Sequence, residues 1–323
     1  MAFKLKKTIF ISLPIALGVF LIWYSFSRLS PSDIESIKNS FKTANYWWVG
    51  LSVVLGILSH LSRAYRWQFL LEPMGYKLNI ANSVMTVLVS HLLNLFVPRS
   101  GEFARAASIK KYDKIPFEKA IGTIFAERVI DVFMLLIIIG FAFYLQTELI
   151  ASYIFTDNLK SSVYSKVFVF GVLPILGYFT YRFLKKSEIP LIIKTMKFVD
   201  GLIDGLKSII TMKKKWKFIF HTFFIWGMYL LMFYVVTFAL PETTNLSLSA
   251  IIVGFVLGAI SMALTNGGLG SYPVLVASAL ILYRIDDNAA RAFGWIMWTA
   301  QTLMVVVFGS LSLIFLPIYN KKK

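Results

Sequence analysis

Long apolar runs alternate with short polar or basic stretches along all 323 residues. A run of about 20 apolar residues predicts a helix that crosses a membrane. Residues 8–27, 46–71, 117–146, 163–184, 218–240 and 290–318 give about six full spans. Two further apolar segments are cut by helix breakers. His91-Leu-Leu-Asn-Leu-Phe-Val-Pro-Arg-Ser-Gly-Glu102 is broken at Pro98 and Gly101; Leu264-Thr-Asn-Gly-Gly-Leu-Gly-Ser-Tyr-Pro273 is broken at Gly267, Gly268, Gly270 and Pro273. Freed backbone groups at membrane depth persist only inside protein or along a watery cavity. Broken segments at matching places in two halves of a chain point to a transporter's binding site. The alternative is a pair of ordinary loops outside the bilayer.

Charge then orients the segments. Lys4, Lys6 and Lys7 precede the first span and place the amino terminus inside. Residues 28–45, with Asp33 and Glu35 among the bases, suit an outer loop, and Tyr46-Trp47-Trp48 an interfacial belt. Arg63, Arg66 and Lys77 lie before the first broken segment; Arg105, Lys110, Lys111, Lys114 and Lys119 follow it. Both flanks should therefore be cytoplasmic, making about 82–109 a re-entrant hairpin with its tip near Pro98 to Gly101. A full crossing would set a lysine-rich loop outside, against the charge rule. Residues 147–162 should lie outside. Residues 185–217 interleave lysines with apolar positions, which suits an amphipathic helix on the inner membrane surface or a helix covering the bundle's inner ends. Residues of about 246–284 form either a broken hairpin or two short spans, which charge does not separate. Lys321, Lys322 and Lys323 put the carboxyl terminus inside as well.

The expected fold is an all-α polytopic membrane protein of the cytoplasmic (inner or plasma) membrane, about six full spans plus two opposed broken hairpins. It is one transmembrane domain over 1–323. The halves 1–146 and 163–318 share a segment order with opposite orientation, the pattern of an inverted repeat. Composition agrees: 58% of residues are hydrophobic and 15% charged, where a soluble domain carries about 25% charged. A β-barrel would alternate apolar and polar positions in short segments, which is not seen. The net charge of +17 would ordinarily suggest nucleic acid. Here the bases sit in inter-helix loops, so they report orientation and anionic-lipid contact, with no nucleic-acid partner expected. Cysteine is absent, which excludes disulfides, thiol catalysis and Cys-ligated metals. His60, His91 and His221 are scattered without metal-ligand spacing, and there is no P-loop. No polar stretch is long enough for an aqueous domain. Neither a metal, a cofactor nor an enzyme activity is expected.

Charges inside apolar segments are the chemical signal. Glu127, Arg128 and Asp131 lie about 14–20 Å past the start of their span. At that depth charges cost several kcal/mol unless paired or hydrated, and they mark a functional site or an ion pair that locks helices together. A helix starting after Pro98 offers free N–H groups, a positive dipole end and Arg99, which suits an anionic phosphate or carboxylate. Arg99, Glu102, Glu127, Arg128 and Asp131 are expected to form one cluster at the hairpin tip, with Arg105 a further candidate base. Arg63 and Arg66 either snorkel to the interface or touch a headgroup.

At these residues the chain resembles the lysylphosphatidylglycerol synthase transmembrane region family, a flippase-like membrane domain. The resemblance covers roughly residues 50–310 and rests on Arg63-x-x-Arg66-Trp-x-x-Leu-Leu, Asn94-x-x-x-Pro98-Arg-x-Gly101-Glu102-x-x-Arg105, Glu127-Arg-x-x-Asp131 and Gly267-Gly-Leu-Gly270. Asn266 and Pro273 depart from the family pattern, which often has proline and an acid at those places. The resemblance implies a fold that flips lipids or lipid-linked substrates; synthase chemistry in relatives sits in a separate domain, not expected here. The candidate substrate-binding residues are Arg63, Arg66, Asn94, Arg99, Glu102, Arg105, Glu127, Arg128, Asp131, Asn266, Gly267, Gly268 and Gly270. The expected function is moving an anionic lipid headgroup between leaflets, with membrane lipids as partners. The alternative is a non-transporting scaffold or regulatory subunit for a lipid-modifying enzyme; homo-oligomers fit either.

Overall fold

The computed structural model describes residues 29–146, 173–185 and 212–321, with isolated positions at 20–27 and 189–196. The first expected span, the 147–162 loop, the first half of the fourth span and most of the 185–217 basic segment lie outside the described residues. Two compact units result: Met1–Phe125 with Trp216–Lys323, and Ala126–Lys215.

No strand occurs among the described residues. The helices are α1 (Pro31–Thr43), α2 (Tyr46–Leu71), α3 (Ile80–Phe96), α4 (Ser100–Asp113), α5 (Phe117–Leu145), α6 (Leu173–Leu184), α7 (Lys215–Val236), α8 (Leu248–Leu264), α9 (Ser271–Leu282) and α10 (Asp287–Lys321). Among the described residues, three stretches are long and apolar enough to cross a membrane: Phe117–Leu145, Lys215–Ala239 and Asp287–Lys321. The pair Pro31–Thr43 and Tyr46–Met74 passes the same test jointly, but it bends by 74°. By itself α2 has 26 residues, about 39 Å of helix, enough for a bilayer core.

Residues 28–45 were expected as an outer loop; most of them are helix α1. Ser30 accepts from the Asp33 backbone while the Asp33 carboxylate accepts from the Ser30 backbone, a reciprocal cap with Pro31 in the first turn. These bonds, from the Ser30 side chain first, hold the Asp33 carboxyl below the usual carboxylate range. Asn288 donates to the same carboxylate at 3.2 Å, tying α1 to the start of α10.

Helix α10 is the spine, packing against α1, α2, α3 and α9. Its glycines allow close approach. A Cβ on Gly309 would lie 2.7 Å from the Leu92 Cβ of α3, and one on Gly294 the same distance from the Pro273 carbonyl oxygen of α9.

The two broken hairpins hang from opposite ends of this spine. At the base of the first, the Asn82 amide donates to Asp113 at 2.6 Å, joining the start of α3 to the end of α4. Asn82 and Asn320 also exchange side-chain hydrogen bonds at 3.2 and 2.7 Å. Both ends of the α3–α4 hairpin therefore lie at the carboxyl end of α10. The α8–α9 hairpin runs through a four-residue turn into Asp287, so its base lies at the other end. At 17 residues each, α3 and α8 extend about 25 Å, short of the roughly 30 Å hydrocarbon layer. The Asn320 end gathers Lys77, Lys110, Lys111, Lys114, Lys217 and Lys321. The Asp287 end mixes Asp33, Glu242, Asp286 and Asp287 with Arg284 and Arg291.

This geometry predicts the outcome of one-sided labelling, for which the absence of native cysteine is convenient. Lys111→Cys and Lys321→Cys should react from the same face of intact cells, and Asp286→Cys from the opposite face. Joint labelling of Lys111→Cys and Asp286→Cys would mean that the α3–α4 segment crosses the membrane.

Candidate functional site

Helix α3 stops because Val97 turns extended and Pro98 has no N–H to continue the ladder. Arg99 then takes φ +61°, a left-handed conformation uncommon for a residue with a Cβ. Its side chain does not cap α4. The cap comes instead from the preceding helix: the Gly101 N–H donates to the Asn94 side-chain oxygen at 2.8 Å, and the Asn94 amide donates to Glu102 at 3.3 Å. Ser100 donates back to the Val97 and Leu93 carbonyls at 2.8 and 3.1 Å, satisfying orphan groups at the end of α3. Gly101 sits so close that a Cβ there would fall on the Ser90 carbonyl oxygen. Asn94 is thus a clasp between α3 and α4, and Arg99 stands exposed beside the positive end of α4. Among the described residues Arg99 makes no hydrogen bond or ion pair.

The second tip is built from three left-handed glycines: Gly267, Gly268 and Gly270 at φ +59°, +74° and +68°. A side chain at any of them would strain the backbone. Ser271 lies 2.5 Å from the Ser261 hydroxyl and 2.7 Å from that of Thr265, closing the base of the turn. The indole N–H of Trp298 donates to the Gly267 carbonyl at 2.9 Å. That residue is eleven positions into α10, about 16 Å from its start.

The two tips touch. The Asn266 amide donates to the Phe96 carbonyl at 3.3 Å. A Cβ on Gly267 would collide with Leu95 Cδ2, so glycine is what lets the second tip rest on the first. Candidate residues 172 positions apart in sequence, Asn94 and Asn266, are thereby brought to one junction within the apolar length of α10.

Arg63, Arg66 and Arg105 form a second feature, each 3% exposed or less. Snorkelling to the interface is therefore not what Arg63 and Arg66 do. Arg63 donates to the Tyr229 hydroxyl at 3.3 Å, and Arg66 to the Thr222 hydroxyl at 2.9 Å while lying 5.1 Å from the Phe218 ring centre. The Arg105 guanidinium stacks 3.7 Å from the centre of the Trp67 ring, and the Trp67 N–H donates to Thr123 at 2.9 Å. Trp67 is fully buried, riveting α2, α4 and the start of α5 together. In the Ala126–Lys215 unit, Glu127 is buried and Arg128 pairs with Asp131 at 3.6 Å.

The histidines are less scattered than their spacing suggests. His60 and His91 face each other across α2 and α3 with ring centres 4.4 Å apart, and His221 shares a 2.8 Å hydrogen bond with Ser62. No group of three or more metal-ligating side chains gathers among the described residues.

Comparison with known proteins bears directly on these motifs. Residues 11–310 match the family described as the Lysylphosphatidylglycerol synthase TM region. The chain belongs to that family. It is also similar to the UPF0104 membrane protein MJ1595 of Methanocaldococcus jannaschii, with 23% identity over 313 residues, 90% of this chain and 91% of that protein. No solved structure matches it. As a member of the Lysylphosphatidylglycerol synthase TM region family, the chain is a multi-pass membrane protein. Sequence reasoning missed Trp67, Thr222, Tyr229 and Trp298 as partners of the candidate residues. Only Trp67 left a signal, as the residue after Arg66 in the family motif.

Proposed function

We propose that this protein moves an anionic lipid or lipid-linked headgroup between the leaflets of the cytoplasmic membrane. The observation that carries this reading is the tip-to-tip junction of two opposed hairpins, each too short to span, beside a helix long enough to do so. Each hairpin enters from one leaflet, and the basic Asn320 end is cytoplasmic, so the two halves form an inverted repeat. The exposed Arg99 at the amino end of α4 takes the phosphate or carboxylate through its forked donors. Glu102, held by the Asn94 amide, lies beside it, and the glycine turn of the other hairpin closes the site from the opposite side. The tails stay in the bilayer while the hairpins part in turn. No bond is made or broken in the lipid.

The test is leaflet exchange of labelled phosphatidylglycerol in liposomes containing the purified protein. Arg99→Lys keeps the charge and loses the fork, so exchange should fall about tenfold, the worth of one charge-assisted hydrogen bond. Thermal stability should be unchanged, because Arg99 is exposed. Exchange at the unaltered rate would make Arg99 an anchor and remove the headgroup site from the tip. No exchange by the unmodified protein across a broad lipid panel would favour the scaffold reading.

A further inference from the structure

A groove of about 330 Å³ lies between α2, α7 and the amino-terminal turns of α3, the end of that helix away from the hairpin tip. That volume lies at the small end of ligand pockets. Its lining is almost wholly apolar, and charge lies near one end of it. The start of α7 lies beside the end of α2 through the Ser62–His221 and Arg66–Thr222 hydrogen bonds, and the start of α3 through the bond from the Ser83 hydroxyl to the Ala64 carbonyl. Two exposed lysines lie near that end in sequence: Lys77 three residues before Ile80, and Lys217 one helical turn before His221. About 6 Å further along α7 comes the polar pair Ser62–His221 in the groove wall. Tyr65, Phe69 and Phe220 surround the imidazole with ring centres 5.1, 5.9 and 5.5 Å away. Leu61 lies next to Ser62, and about a turn deeper the lining is Leu58, Val84 and Phe224, all apolar.

We infer that this groove holds one anionic glycerophospholipid of the surrounding bilayer. Such a lipid has its own gradient: an anionic phosphate, then ester carbonyls, then a hydrocarbon chain. The rim lysines match the phosphate. Ser62 and His221 bond each other at the depth of the ester group and leave the groove wall beside it apolar. The apolar floor takes the first part of one acyl chain. Leu58, Leu61 and Tyr65 are each at least 40% exposed, so the chain covers apolar surface that no described residue covers. The site is separate from the hairpin junction and does not require that the protein transports anything.

The test uses the full chain purified in detergent, with dioleoyl phosphatidylglycerol or dioleoyl phosphatidylcholine added and bound lipid counted by native mass spectrometry. The unmodified protein should retain one phosphatidylglycerol with about tenfold preference over phosphatidylcholine, as expected for two lysines beside an anionic headgroup. Lys77→Gln with Lys217→Gln should abolish the preference, and Val84→Trp, which fills the groove, should remove the bound lipid. A second measurement does not depend on the folding of that tryptophan variant. In Leu61→Cys, phosphatidylglycerol should slow maleimide labelling severalfold, while Leu303→Cys on the exposed face of α10 is unaffected. Retention of the lipid by a folded Val84→Trp, or equal labelling of Leu61→Cys with and without lipid, overturns the proposal. Neither readout involves leaflet exchange, so loss of this site leaves the transport reading standing, and the reverse holds too.

Discussion

Replacing Trp67 with leucine should destabilise the protein by about 4 kcal/mol, within the range for removing a fully buried large aromatic side chain. Three losses combine. The void left between α2, α4 and α5 cannot collapse around a smaller residue, because Trp67 has no exposed surface. Arg105 loses the ring that lies 3.7 Å from its guanidinium, and a buried cation deprived of its contacts is costly. The Thr123 hydroxyl also loses its indole donor. Trp67→Phe separates these effects, since it keeps an aromatic face for Arg105 and forfeits only the N–H bond and some volume. It should cost about 1–2 kcal/mol. Thermal unfolding of both variants in detergent gives the comparison. Equal, mild losses would mean that the ring does not support Arg105.

Gly101→Ala should be the second most damaging change, at about 3 kcal/mol, the upper range for an overpacked contact. The added methyl would occupy the position of the Ser90 carbonyl oxygen, a backbone atom that cannot rotate away. Helix α4 must then lift from α3, and the Asn94 clasp on the Gly101 N–H opens with it. Gly122→Ala is the matched control: it lies in α5 with nothing within 4 Å of the added carbon. In a helix that exchange is neutral or favourable by up to about 1 kcal/mol. A Gly101→Ala protein that melts with the Gly122→Ala protein would contradict the close packing of the hairpin.

In the first hairpin two independent sequence signals coincide. Pro98 and Gly101 mark the break, and lysines and arginines on both flanks require a return to the same side. In the structure the break falls between Ile80–Phe96 and Ser100–Asp113. For the second hairpin, charge was silent and only the glycines spoke; they fall between Leu248–Leu264 and Ser271–Leu282. Helix α1 was missed although its signals were present, Ser30 and Asp33 at capping-box spacing and Ile34, Ile37 and Phe41 on one face. Its polar composition masked that pattern. The surroundings of the arginines could not be read at all. Arg66 meets Thr222, and Arg63 meets Tyr229, across 156 and 166 residues of chain. Charge rules assign a residue to a side of the membrane; they do not say which helix will stand next to it.

On the proposed transport reading, the contact between Asn266 and Phe96 governs how the junction opens. The Phe96 carbonyl belongs to the last turn of α3, where helical geometry provides no donor, and the Asn266 amide fills that vacancy from the opposing hairpin. In its resting arrangement the protein thus supplies its own surrogate for a polar guest. Parting the tips strands one donor and one acceptor in an apolar setting, which costs a few kcal/mol when neither finds a partner. Water or a headgroup arriving at the same level replaces the lost bond at a net change of about 1 kcal/mol or less. A closed barrier sealed in this way stays shut to hydrocarbon and yields to a hydrogen-bonding visitor.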